Sequence, residues 1–302
     1  MSRNSSFFTN SSFDLHLSSM NTSLSLYMYC LISKPSSYIN CAFSITAIFL
    51  VLPVCILILQ HGLQEWRKKG STFMEVLSHS DCFTYNIVIM DLFAVLAWIF
   101  TYCGIVMNNL NMLSWGFYLY SVSFFGVIFF HMLTCVEHYM AAVHPITYRS
   151  LRRERGVRIR KISIGCIWLL CFAITGFAMI DDRIIAILNF CLLTLSLTVS
   201  SFCSLSVLRV LIHPGPGKDG RNRDRVDQSK KRAFYTIVTI LGMLVLTFVW
   251  DLNWSVVYVT GKFNGCVLLS WSVWFNLPSN VLLPLLFLHR KGKVVCCKNN
   301  MQ

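Results

Sequence analysis

Two carboxylates interrupt long apolar stretches of this chain, and such residues are the first candidates for chemistry. Asp91 lies within IVIMDLFAVL, and Asp251 follows the aromatic sequence FVW. Inserting a carboxylate at the centre of a bilayer costs about 3 kcal/mol even on the most lenient scale. Both side chains are therefore expected to face a protein interior or a hydrated cavity that holds a partner for them.

Aromatic residues accompany the second acid. At 100° per residue, Asp251 shares a helical face with Thr247 and Trp254. One interpretation is an outward-opening pocket in which Asp251 binds a cationic or amine-bearing ligand. The alternative is an acid hydrated at the membrane surface, with the tryptophans forming an interfacial belt. The belt is favoured for Trp271 and the pocket for Trp250. The candidate pocket residues are Tyr120, Phe124, Trp250, Asp251, Trp254 and Trp274.

The sequence carries no catalytic pattern. It contains no HExxH, no nucleophile–base pair, no phosphate-binding glycine loop and no paired catalytic carboxylates, so we do not expect an enzyme. The 13 cysteines lack zinc-site spacing, and most lie inside apolar runs, where a small apolar side chain is the simpler role. His131 is interpreted as a satisfied core histidine with no assigned role.

The elements that position these residues must cross a membrane. Of the 302 residues, 55% are hydrophobic and only 13% are charged, and the mean hydropathy is +0.60. Soluble domains carry about 25% charged residues. Apolar runs of about 20 residues, the length that crosses a hydrocarbon core, recur along the chain and predict an all-α protein embedded in a lipid bilayer. The seven predicted spans are 39–60, 83–106, 115–139, 161–180, 184–211, 234–259 and 265–288. The least distinct boundary is the cut at 181–183, but 161–211 is too long for one crossing.

Charge fixes the orientation of the spans. Of the 26 Lys and Arg residues, all except Arg3, Lys34, Arg183 and Lys262 lie on one side of the predicted membrane. By the positive-inside rule, the N-terminus is outside and the C-terminus is cytoplasmic. The net charge of +13 is therefore a topology signal. Nucleic acid is not an expected partner, because the basic residues are spread over short loops and form no single basic face.

The orientation predicts modifications on each side. Three N-x-S/T sequons, at Asn4, Asn10 and Asn21, are expected to be glycosylated in an extracellular tail, 1–38. No cleaved signal peptide is expected, so the first span would act as the signal anchor. On the outer face, Cys266 could pair with Cys30 or with Cys41, and the sequence leaves that choice open. In the cytoplasmic tail, 289–302, Cys296 and Cys297 are either palmitoylation sites or two reduced thiols.

The most specific motif closes the third span. Glu137-His138-Tyr139 leads into MAAVHPITY, which ends with Pro145 and Tyr148 three residues apart. The stretch resembles the end of helix 3 and the following loop in rhodopsin-like (class A) G-protein-coupled receptors. That family has an acid, Arg and Tyr, followed by x-A-[IV]-x-x-P-[LI]-x-Y. His138 stands where the family carries arginine.

Further matches follow in the family's order along the chain after about residue 39. Asp91 resembles the helix 2 aspartate, Trp168 the single tryptophan of helix 4, and Trp250 lies near the toggle position of helix 6. In SNVLLPLLFLHRKGK, Pro284 and Phe287 occupy the proline and tyrosine positions of N-P-x-x-Y, which normally precedes a short amphipathic helix 8. The resemblance implies a seven-transmembrane helix bundle over 39–288, with a sodium ion near Asp91 and Asn280. The alternative is that Asp91 only links two helices by hydrogen bonds.

Several departures mark a divergent member of the family. Leu113 falls where the outer cysteine of helix 3 would lie, and the short second outer loop around 181–183 has no cysteine either. The usual disulfide is therefore lost at both ends. Leu283 replaces the polar residue before Pro284, and helix 6 lacks the usual W-x-P.

The resemblance implies a plasma-membrane receptor that transmits an unknown extracellular ligand to heterotrimeric G proteins, with helix 6 swinging outward. The alternative is a receptor-like seven-helix scaffold or decoy without G-protein coupling. A transporter or channel ranks last, because we find no internal repeat and only two midspan acids. His138 bears on the choice. An arginine is always charged and offers five donors, whereas histidine has at most two and is mostly neutral at pH 7. His138 should therefore hold both the inactive state and the G protein less firmly.

Overall fold

The computed structural model describes residues 30–69, 79–150, 154–178, 182–212, 234–250, 252, 266–278, 280–282 and 284–288. Within these ranges the chain is helical apart from short turns, and it contains no strand. The all-α prediction is confirmed for this part of the chain. The helices are α1 (Ser36–Lys69), α2 (His79–Met107), α3 (Leu110–Val143), α4 (Pro145–Ser150), α5 (Glu154–Ala178), α6 (Asp182–Ile212), α7 (Phe234–Trp250) and α8 (Cys266–Ser272).

Four of these helices are long and apolar enough to cross a membrane. The four candidate spans are Ser36–Gln64, Cys82–Met107, Leu110–Val143 and Ile187–Val210. Two shorter apolar helical segments, Phe234–Trp250 and Val273–Leu288, follow them along the chain. The chain is therefore a membrane protein by the length and composition of these helices.

The helices extend beyond the predicted spans. Helix α1 covers Ser36–Lys69 where 39–60 was expected, and α3 covers Leu110–Val143 where 115–139 was expected. Backbone hydrogen bonding does not stop at the bilayer surface, so polar residues continue a helix that hydropathy alone would end. The predicted cut near 181–183 matches the separation between α5, which ends at Ala178, and α6, which begins at Asp182. The predicted helix 8 lies outside the described residues.

Helix α3 is the central element of the bundle. In its most apolar 18-residue window, 61% of the residues are buried, compared with 33% in α1 and in α6. One apolar cluster joins α1, α2 and the C-terminal segment around Phe43, Trp98 and Phe287. A second joins α3 to α6 and α7, and a third joins α2, α3 and α5. Large apolar side chains on the outer faces, such as Phe49 and Leu169, remain exposed in the way a lipid-facing surface requires.

A tight turn connects α2 to α3. Asn108 adopts a positive φ of 51°, a conformation that asparagine tolerates better than most residues. Asn109 caps α3, because its side chain accepts hydrogen bonds from the backbone N–H groups of Asn111 and Met112. The turn holds the two helices antiparallel and in close contact, which fixes the register of the residues between them.

Candidate functional site

The acid predicted in the second span lies in the interior. Asp91 on α2 is fully buried, and neither carboxylate oxygen has a hydrogen-bond partner among the described residues. An unpaired buried charge is costly, so this site requires a bound cation, water or a proton. Nearby on α2, Asn86 accepts a hydrogen bond of 3.2 Å from Nε1 of Trp168. The tryptophan singled out in the fourth predicted span therefore ties α5 to α2.

An interior cavity lies between α3, α7 and the C-terminal segment. It has an empty volume of about 430 Å³ including space open to solvent, and its polar lining residues include Ser123, His131, Thr247, Asn276 and Asn280. His131 is buried, and its Nε2 has no hydrogen-bond partner among the described residues. We expected a satisfied core histidine with no role. The structure instead places it at the wall of a mostly apolar cavity, together with the predicted Asn280.

A second cavity, which we call the outer cavity, lies toward the predicted extracellular end. It is narrow and has an empty volume of about 590 Å³ including its open mouth. Helices α1, α2, α3, α7 and α8 all contribute to its lining, so it lies at the centre of the bundle's outer half. The lining residues are Cys30, Leu31, Asn40, Phe43, Ser44, Trp98, Thr101, Tyr120, Trp250, Ser270 and Val273.

The predicted aromatic pocket is thus divided between the two cavities. Tyr120 lines both, Trp250 lines the outer cavity and Phe124 lines the interior one, with the rings of Phe124 and Trp250 6.4 Å apart. Trp274 is not among the described lining residues of either cavity. Its ring packs edge-on against the Phe43 ring, with the two ring centroids 5.6 Å apart. Trp271 is exposed. Asp251 and Trp254 lie outside the described residues.

Sequence reasoning missed several of the cavity residues. Trp98 lies seven residues after Asp91, a spacing that places both on one helical face and could have identified it. No sequence pattern identified Asn40 and Ser270, because they are far apart in the sequence and come into contact only in the folded protein. Nδ2 of Asn40 donates to Oγ of Ser270 at 3.0 Å and joins α1 to α8.

The outer cavity is closed on one side by a disulfide between Cys30 and Cys266, whose Cα atoms are 5.1 Å apart. Cys41, the alternative partner, is a free thiol. Leu113, which stands where the family resemblance would place a cysteine, is almost fully buried against Leu31, with Phe117 packed beside them. The segment before α1 is therefore held by a covalent bond and by the apolar packing of Leu31 and Ile32.

The motif from Glu137 to Tyr148 folds as a local unit at the end of α3. The hydroxyl of Tyr148 on α4 donates to Oε1 of Glu137 at 3.1 Å. Tyr139 and His144 share a hydrogen bond of 3.3 Å between the hydroxyl and Nε2. Pro145 occupies the first position of α4, where its missing N–H costs nothing. The motif residues at the two ends of this stretch are thus brought together.

The remaining motif residues are buried in the bundle. His138 is buried on α3. Pro284 and Phe287 are buried in the C-terminal segment, and the Phe287 ring packs edge-on against Tyr85 at 5.7 Å. The predicted modification sites Asn4, Asn10, Asn21, Cys296 and Cys297 lie outside the described residues. No protein-family model and no curated protein matches the chain.

Proposed function

We propose that this protein is a divergent rhodopsin-like receptor of the plasma membrane, which transmits binding of an extracellular ligand to a heterotrimeric G protein through a seven-helix bundle. Three further helical segments, α5, α7 and Val273–Leu288, correspond in order to the predicted spans beyond the four candidate ones. The observation that carries the proposal is the hydrogen bond between Glu137 and Tyr148. It joins the first and last residues of the family-like motif, and in the proposed orientation both would shape the inner surface.

In the proposed receptor, α7 corresponds to helix 6, the helix that is expected to swing outward. Apolar packing supports this movement of α7. Its inner half contacts α3 and α6 through Ile237 and Ile240, which lie in one cluster with Cys135 and Ala142. No residue of Phe234–Trp250 is charged. Moving α7 outward would therefore separate an apolar interface without breaking an ion pair made by that segment, and G-protein binding would favour the open state.

The same absence of charge makes His138 informative. An arginine at this position would find no acid on Phe234–Trp250 to hold the inactive state. It would gain donors toward the G protein, and a hydrogen bond to a charged group contributes about 1.5–3 kcal/mol. His138→Arg should therefore raise G-protein activation, basal or ligand-dependent, by roughly tenfold to a hundredfold.

The test is a G-protein activation assay across all families in cells, at equal surface expression. Gln64→Arg is the control, because it adds the same side chain at an exposed position of α1 that lies outside the motif. Increased activation by His138→Arg alone supports the proposal. If the natural protein and His138→Arg are both silent with every G protein, the scaffold without coupling becomes the better interpretation.

A further inference from the structure

The outer cavity lacks charge but is rich in hydrogen-bond donors. No charged side chain is among its described lining residues. Trp98 and Trp250 both line it, each is more than nine-tenths buried, and neither Nε1 has an acceptor among the described residues. An indole N–H can only donate, so each of these groups needs an acceptor that the surrounding side chains do not provide. A bound molecule that carries an acceptor would satisfy them.

We propose that the outer cavity binds a small uncharged molecule that presents a hydrogen-bond acceptor, such as a carbonyl or ether oxygen, to Trp98 or Trp250. The walls are suited to a flat or compact apolar body, because the Phe43 and Tyr120 rings lie among the lining residues. The narrowness of the cavity limits the ligand to about one ring or a short chain.

The described lining disfavours two other ligand classes. Among the described lining residues, a bound carboxylate would have no cation beside it and a bound ammonium group would have no anion. Burying either ion unpaired costs several kcal/mol. The rival expectation, an amine bound by Asp251, is therefore a separate outcome of the test.

The inference deepens the proposed receptor function, on which its physiological role rests, but binding itself can be measured without any G protein. The full chain is purified and placed in lipid nanodiscs, and saturation-transfer NMR titrations measure its dissociation constants after subtraction of empty nanodiscs. The four probes are methyl benzoate as neutral acceptor, propylbenzene as apolar isostere, benzylamine as cation and benzoate as anion.

Methyl benzoate should bind most tightly, with a dissociation constant about threefold to tenfold below that of propylbenzene, which is the effect of one hydrogen bond. At least one of Trp98→Phe and Trp250→Phe, which keep an aromatic ring but remove the donor, should cancel that preference. Trp115→Phe is the control, because Trp115 is exposed and does not line this cavity. Ser44→Leu should abolish binding by filling the space, since Ser44 is a buried lining residue. Thermal melting checks that each variant is folded, and Ser44→Leu keeps the test decisive if a tryptophan variant does not fold.

The proposal fails if propylbenzene binds as well as methyl benzoate, if either charged probe binds more tightly, or if none of the four binds. It also fails if both tryptophan variants retain the preference. Binding of methyl benzoate by a chain that activates no G protein would contradict the receptor function while leaving the ligand site intact.

Discussion

Substituting Gly116 by alanine should destabilise the contact between α2 and α3. A Cβ atom at this position would lie 2.5 Å from Oγ1 of Thr101, and 3.1 Å from both the carbonyl oxygen of Ala97 and the backbone nitrogen of Thr101. In real proteins, a Cβ atom essentially never lies within 3.0 Å of such a non-bonded heavy atom. A rotamer change could move Oγ1 of Thr101, but the other two atoms belong to the backbone of α2 and no rotamer change can move them. The two helices must move apart.

Two opposed effects determine how much Gly116→Ala changes the free energy of unfolding. Glycine to alanine inside a helix stabilises by about 0.5–1 kcal/mol, because alanine has the higher helix propensity. Overpacking costs about 1–3 kcal/mol. Gly165→Ala on α5 is the matched control, because nothing lies within 4 Å of its added Cβ. The propensity gain is shared by both variants, so Gly116→Ala should be less stable than Gly165→Ala by the whole overpacking cost, about 1–3 kcal/mol.

Thermal unfolding of the purified protein in detergent measures the difference. Gly165→Ala should melt at or slightly above the natural protein, and Gly116→Ala should melt several degrees below Gly165→Ala. Gly126→Ala should fall between them, since its Cβ would meet Cε, Sδ and Cγ of Met90, a buried but flexible side chain that can adjust more easily than backbone atoms. If Gly116→Ala melts as high as Gly165→Ala, the close packing of α2 against α3 is wrong.

Three further outcomes are expected. Glycosidase treatment of cell-expressed protein should lower its apparent mass, because Asn4, Asn10 and Asn21 precede the first span on the predicted outer side; no shift, together with a tail epitope accessible on intact cells, would reverse the topology. If Asp91 binds sodium, sodium chloride should raise the melting temperature relative to choline chloride at equal ionic strength, and Asp91→Asn should abolish this difference. If the natural protein and Asp91→Asn respond equally to the two salts, Asp91 only links two helices by hydrogen bonds. Leu113→Ala should lower the free energy of unfolding by about 2–5 kcal/mol, because the Leu113 side chain is almost fully buried. Leu110→Ala should lower it less, because Leu110 is only partly buried at the edge of the same cluster. Equal melting temperatures of the two variants would refute the packing of Leu113 in this cluster.

The sequence predicts what depends on short-range pattern. Hydropathy located the helices and the boundary between α5 and α6, since a span of fixed length needs no knowledge of its neighbours. The motif from Glu137 to Tyr148 was also recognisable, because both ends lie within one local segment. The seven-span bundle, the glycans and the G protein remain predictions.

What could not be predicted depends on helix register. The outer cavity brings Asn40, Trp98 and Ser270 together from three helices, and no one-dimensional spacing encodes the rotation of one helix against another. His131 shows the same limit. From the sequence alone, a buried histidine cannot be distinguished from an ordinary core residue. Only the structure shows whether it lines a cavity.

If the chain is a divergent receptor, as proposed, two departures from the rhodopsin-like pattern each occur together with a second change. At the outer end, both cysteines of the usual disulfide are replaced together, and the structure has a Cys30–Cys266 bridge and the burial of Leu113 in that region. At the inner end, arginine is replaced by His138, and Phe234–Trp250 offers no acid that an arginine could have paired with. Glu137 and Tyr139 are instead engaged by Tyr148 and His144, within α3, α4 and the connection between them. Apolar burial, and not an ionic contact, then holds α7 against α3. The free energy that separates the resting and open states would accordingly be set by the cluster around Ile237 and Ile240, and it would respond weakly to salt because apolar contacts are not screened.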